Sequence, residues 1–223
     1  MHTRSLPQIA KGESVPAANP LPSFVGDLPR VLNVGGSSKA IPIPAHYSGW
    51  SHLLLDIDPT GNPDIVWDAR ALDMLNPAQF DAVYCSHNLE HYYKHDGAKV
   101  LRGFLHVLKP DGFADIRVPD LRCVLRKFVA DDMDLEDVLY TAPGGSITVR
   151  DVIYGWGKEI EESGHDFYAH KTGFTPLSLV RVLQQVGFGH VFIRTLEEHF
   201  EVGAFAFKNV PTAEKLKLLG LAM

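Results

Sequence analysis

The sequence is poor in cysteine. Its 223 residues include two, Cys85 and Cys123, too few for the disulfide framework of a secreted domain, so the expected setting is reducing and cytoplasmic. Long apolar runs are missing too. None approaches the roughly 20 residues that cross a bilayer, and the first residues lack the basic-then-apolar layout of a secretion signal. A basic surplus is also absent: 21 Lys and Arg stand against 27 Asp and Glu, a formal charge of −6. Phosphate binding needs clustered cations, so a nucleic acid is not the expected main partner, although Arg122, Arg126 and Lys127 lie close together. No internal repeat is visible. What remains is an ordinary 45% apolar content, enough for one well-packed domain.

Residues 1–26 read as a loosely attached arm, interrupted by Pro7, Pro16, Pro20 and Pro22. From Leu28 apolar strands alternate with helical patterns, which is the signature of a parallel sheet with helices on its faces. Strands are expected at 31–34, 52–58, 65–68, 82–85, 113–118, 191–195 and 202–207. Helices are expected at about 89–108 and 176–186, the second stopped by Gly187. The stretch 39–51 holds Pro42, Pro44 and Gly49, so the first crossover is predicted to be short or irregular. Residues 27–210 make one domain, 131–175 an insert within it, and 211–223 a tail that forms a short helix or frays.

The chain is organised around Val31-Leu-Asn-Val-Gly-Gly-Ser-Ser38. An apolar strand that stops at adjacent glycines lets a ligand meet backbone rather than a Cβ. Ligands of open α/β sheets bind outside the carboxyl ends of the strands. About twenty residues later come Asp56 and Asp58, at the spacing of a βαβ unit with an acidic ribose-binding residue. Alone, Gly35-Gly36 is more often an ordinary turn, and either aspartate a solvated strand end.

The ordered set is more specific. After the glycine stretch come Leu54-Leu-Asp-Ile-Asp-Pro59, Asp64-Ile-Val-Trp-Asp-Ala69, Phe80-Asp-Ala-Val-Tyr-Cys-Ser-His-Asn-Leu-Glu-His91 and Leu108-Lys-Pro-Asp-Gly-Phe113. Together these resemble the motifs of class I S-adenosylmethionine-dependent methyltransferases, most closely a small bacterial branch with Ser-His-x-Leu-Glu-His after the fourth strand. The resemblance covers residues 30–120 in detail and continues loosely through His170-Lys-Thr-Gly-Phe174 and Gly187-Phe188. It implies an α/β Rossmann-like fold with a seven-stranded, mainly parallel sheet, helices on both faces, and an antiparallel last strand at 202–207, expected at the edge.

The resemblance also implies a cofactor, S-adenosylmethionine, and residues to hold it. Gly35, Gly36 and Ser37 would lie against its methionine end, and Asp56 and Ile57 against the ribose, with Asp58 as competitor. Asp68 and Ala69 would read the adenine; alternatively Asp68 caps a helical turn at 69–74. Ser86 and His87 would floor the sulfonium. Two departures stand out: Asn33 where the family carries an acid, and Ser37 where it carries glycine.

His87, His91 and His95 recur every four residues with Glu90 among them, which on a helix puts the three rings on one face. His-Asn-Leu-Glu-His also fits the H-x-x-E-H pattern of inverted zinc peptidases. Its place after a parallel strand favours a structural role in anchoring the loop, with His87 or His91 as the candidate catalytic bases, His165 as another, and no metal expected. The insert carries Tyr140, Tyr154, Trp156, Tyr168, His165, His170 and Lys171 among glycines, and reads as a lid over the acceptor. The expected function is methyl transfer to an oxygen of a small-molecule or saccharide acceptor. The alternative is a cofactor-binding module that regulates or scaffolds without transfer. Oligomeric state is left open.

Overall fold

The computed structural model describes residues 21, 26–142 and 144–221. Most of the expected arm therefore lies outside the described residues; Leu21, within it, packs against the larger core. The strands are β1 (Arg30–Val34), β2 (Ser51–Asp56), β3 (Ile65–Val66), β4 (Phe80–Ser86), β5 (Leu108–Pro119), β6 (Val138–Ala142), β7 (Gly145–Thr148), β8 (His190–Leu196) and β9 (Glu201–Phe207). The helices are α1 (Lys94–Val107), α2 (Leu121–Ala130), α3 (Val149–Tyr154), α4 (Gly157–Ser163), α5 (Pro176–Val186) and α6 (Ala213–Leu218).

Seven strands form one sheet in the order β3-β2-β1-β4-β5-β9-β8. The first five are parallel, and β9 runs antiparallel to both β5 and β8. The expected antiparallel strand is confirmed in direction and corrected in place. It is not an edge: β9 sits between β5 and β8, and β8 closes the sheet. The composition of β9 explains this, because Val202, Ala204, Phe205, Ala206 and Phe207 are all buried, as suits a strand covered on both faces.

Alternation along the strands divides the core. Leu32, Val83, Cys85 and Ala114 face a large cluster with Val100, Phe104 and Val107 of α1 and Leu179 and Leu183 of α5. Val31, Ala82, Tyr84, Phe113, Phe205 and Phe207 face the other way, onto Tyr47 and Leu219. The first crossover contains no α-helix, only a 3-10 turn at Ala45–Tyr47, as its prolines predict. The second face is covered by that turn, where Tyr47 stacks on Phe113, and by Leu219 at the end of α6.

The helix expected from 89 is corrected. Residues Leu89–His91 form a separate 3-10 turn, and α1 begins at Lys94. The extended Tyr92 and Tyr93 keep the two apart. His87, His91 and His95 therefore do not share a helical face. The third strand is also shorter than expected. It ends at Val66 because Asp68 turns the chain into a 3-10 segment, Ala69–Met74, by accepting from the Arg70 amide.

Residues 131–175 contain the β6–β7 hairpin, α3 and α4, with a small core of Val124, Leu139, Val149 and Val152. The stretch returns to the body of the domain at two places, the end of β5 and the turn after β4. Phe174 bridges Asp120, and the amides of Lys171 and Thr172 donate to the Glu90 carbonyl at 2.8 and 3.1 Å.

Candidate active site

At the carboxyl end of β1 the chain turns through Gly35 (φ +71°) and Ser37 (φ +57°). The Gly35 amide still donates to Leu55 O at 2.8 Å, so the loop leaves the sheet beside the end of β2. A Cβ at Gly35 would lie 2.1 Å from Asn88 Nδ2. The turn is closed from the other side by Asp56. Its Oδ2 accepts from the Ser37 amide at 2.9 Å and its Oδ1 from the Asp58 amide at 3.0 Å. The carboxylate thus ties the glycine loop to the loop after β2. Gly61 allows the same approach: a Cβ there would lie 1.7 Å from Ser37 O.

Asp58 points elsewhere. It caps the next turn through the Thr60 amide at 2.9 Å and accepts from the Tyr168 hydroxyl of the insert at 3.4 Å. These partners, the Thr60 amide foremost, hold its carboxyl below the usual range. Asp68 caps the 69–74 turn and is clasped by the Arg70 guanidinium at 2.9 and 2.6 Å.

Where β4 ends, His87 takes φ +48° and its amide donates to Arg117 O at 2.9 Å. A left-handed residue of this kind costs about 1–3 kcal/mol and is held by its surroundings. Its half-exposed ring reaches two carboxylates, Glu201 at 3.1 Å and Glu90 at 3.5 Å. Burial against the protein opposes the charge, but these two acids outweigh it and push the imidazole up to about 10. Glu90 is 1% exposed. Burial works to raise its carboxyl, and His87 more than offsets that, leaving it below the ordinary value. His91 Nδ1 lies 3.2 Å from Ala169 O.

These loops surround a cavity of about 550 Å³. Gly35, Ser37, Asp56, Ile57, Asp58, Gly61 and Asp68 form one wall. His87, Asn88, His91, Tyr92, Tyr93 and Asp96 form the second, and Asp166, Phe167, Tyr168 and Lys171 of the insert close the third. Of the residues expected from the sequence, Gly35, Ser37, Asp56, Ile57, Asp68, His87 and His91 meet here. Gly36, Ala69 and Ser86 do not line the cavity, and Ala69 is buried in the larger core. Gly61, Asn88 and Asp96 were not anticipated. Gly61 had a local signal, a glycine four residues past Ile57, but Asn88 is recognisable only once the fold sets it against Gly35.

Residues 51–115 match a family described as "Methyltransferase domain". A protein from Pyrococcus horikoshii OT3 superposes with TM-score 0.54 at 14% identity, over 82% of this chain and 84% of that one. A SAM-dependent methyltransferase from Archaeoglobus fulgidus gives TM-score 0.50 at 17% identity, over 80% and 86%. The CMeT domain of a citrinin polyketide synthase gives 0.51 at 13%, over 83% and 48%. No curated protein matches the sequence significantly. At such identities the superpositions establish the fold. The matched segment is that of a methyltransferase domain, and the sheet order is that of the fold of class I S-adenosylmethionine-dependent methyltransferases. These are enzymes, and their methyl donor and cofactor is S-adenosylmethionine.

The pocket fits that cofactor. Gly35 and Gly61 keep the backbone bare where a Cβ would collide, a carboxylate closes the second strand, and the volume lies within the roughly 300–1,000 Å³ of small-molecule sites. Among the described residues no helix is long and apolar enough to cross a membrane.

Proposed function

We propose that the protein methylates a hydroxyl of a small molecule or saccharide, which is held between the cofactor wall and the insert. The observation that carries this reading is the single cavity shared by the ends of β1 and β2 and by Phe167, Tyr168 and Lys171. One side has the bare backbone and carboxylate a nucleoside needs. The other has aromatic faces and hydrogen-bonding tips, which suit a polar acceptor.

In this reading Gly35 and Ser37 lie along the methionine end, and Asp56 and Ile57 along the ribose. Asp56 can take the ribose hydroxyls while holding the loop, because a carboxylate has about four acceptor sites and two are used. Asp68 faces the adenine end, with Arg70 fixing its orientation. When bound, the cofactor supplies an electrophilic methyl group on a sulfonium. The residues of this chain hold the acceptor oxygen in line with it and keep water out, and that positioning is the largest share of the rate. Phe167 and Tyr168 shut out solvent. His87 has both ring nitrogens facing carboxylates, so it positions the wall rather than removing a proton. His91 is the other imidazole there.

The test is transfer of an isotopically labelled methyl group from S-adenosylmethionine to panels of saccharides, hydroxylated metabolites and amines. The expected result is label in an oxygen-linked methyl group of a hydroxylated acceptor. Label in amines alone would overturn the acceptor assignment.

A further inference from the structure

We propose that Glu90, His91 and His170 bind a divalent transition-metal ion, which clamps the insert to the loop after β4. The sequence pattern suggested His87 and His91 as a histidine pair and no metal. The fold assembles a different trio. Glu90 and His91 lie on the 3-10 turn after β4. His170 arrives from the end of the insert, placed by the hydrogen bond its amide donates to Tyr154 O at 2.9 Å. One donor atom from each of the three lies within 4.8 Å of the others.

The arrangement of protons favours a cation. His91 Nδ1 faces Ala169 O at 3.2 Å, and His170 Nδ1 faces Val152 O at 2.8 Å. A carbonyl only accepts, so each Nδ1 carries hydrogen, and in the neutral ring the lone pair sits on Nε2. This is the outer-shell pattern that orients metal-binding imidazoles. The rings lie 4.9 Å apart, edge to face.

Glu90 supplies the independent observation. It is 1% exposed, and neither side-chain oxygen has a hydrogen-bond partner. Its contact with His87 Nδ1, at 3.5 Å, involves Oε1. The ion pair with His87 offsets part of the cost of burial through Oε1, but Oε2 has no partner, and an ion shared with two imidazoles would satisfy it. Zinc ligands at about 2.0–2.2 Å in a tetrahedron stand about 3.4 Å apart, so the side chains need close by no more than about 1.5 Å. Two imidazoles and a carboxylate suit zinc, iron or cobalt in the divalent state and leave at least one position open. His91 and Lys171 line the active-site cavity, so the clamp would set the third wall of that cavity.

The probe is Co²⁺, titrated into chelator-stripped full-length protein and followed by calorimetry and visible absorption. The native chain should take up one ion per chain with ligand-field bands. Glu90→Gln and His170→Ala should each weaken uptake by at least about a hundredfold, beyond the 10–100-fold typical of outer-shell changes. His95→Ala, whose side chain is 72% exposed, should bind as the native chain does. Thermal melting checks that the variants fold, and should Glu90→Gln not fold, His170→Ala decides. No stoichiometric uptake by the native chain, or unchanged uptake by His170→Ala, would overturn the proposal. S-adenosylhomocysteine titrated into the stripped chain reads the cofactor site separately, so failure of one site does not mimic failure of the other.

Discussion

At the scale of single residues, two positions carry the cofactor wall, and they differ in how they read. Gly35 is needed twice, for φ +71° and for the 2.1 Å approach that a Cβ would make to Asn88. Gly35→Ala should cost about 1–3 kcal/mol through the left-handed backbone alone, with a fall of roughly 2–4 °C in melting temperature per kcal/mol. Adding Asn88→Ala should recover only part of the collision, because the Cβ of residue 88 would still stand 2.8 Å from the new methyl, and should leave the backbone part; full recovery in the double variant would contradict the φ argument. The glycine was legible because it interrupts an apolar strand. The work of Asp56 was only half legible. Its position predicts a carboxylate at a strand end, but its bond to the Ser37 amide spans 19 residues and has no local signature. The pairing of Asp68 with Arg70 is local, two residues apart, and its capping role was legible; it leaves the adenine and the cap competing for one side chain.

Elements were legible where periodicity was uninterrupted. Helix α5 begins and ends where Pro176 and Gly187 indicate, since proline fits the first helical turn and glycine the αL cap. Helix α1 was overextended because Leu89 and Val100 share an apolar face that the intervening turn interrupts. Pattern registers burial, and both residues are buried, but it does not register the extended Tyr92 and Tyr93. Packing of α1 against the 69–74 turn gives a second prediction. An alanine usually stabilises a helix relative to glycine by about 0.5–1 kcal/mol. At Gly103 the added Cβ would sit 2.6 Å from the Cβ of the fully buried Leu72, and overpacking of that kind costs about 1–3 kcal/mol. Gly103→Ala should therefore lower the denaturant midpoint; a rise would show that the turn yields freely.

For the molecule as a whole, the class of sheet was legible and its lateral order was not. Seven apolar runs separated by helical patterns imply a mostly parallel sheet, but no residue of β9 states that it enters between β5 and β8. That placement follows from its burial on both faces, which appears only when α5 and the second aromatic layer are assembled. The insert was legible as an interruption rich in aromatics. Its return to Glu90, through backbone bonds and His170, belongs to the tertiary structure. A nucleoside on the first wall of the cavity is tested most directly by calorimetry of S-adenosylhomocysteine against the native chain, Asp56→Asn and Asp58→Asn, with NAD as the control ligand. One molecule should bind per native chain, and NAD should not bind. Asp56→Asn should lose about 1–3 kcal/mol, roughly ten- to hundredfold in affinity, through its ribose contacts and its hold on Ser37. Asp58→Asn, whose partners are the Thr60 amide and Tyr168, should lose less. A native chain that ignores S-adenosylhomocysteine, or binds it equally well with Asp56→Asn, would contradict the assignment of this wall to the cofactor.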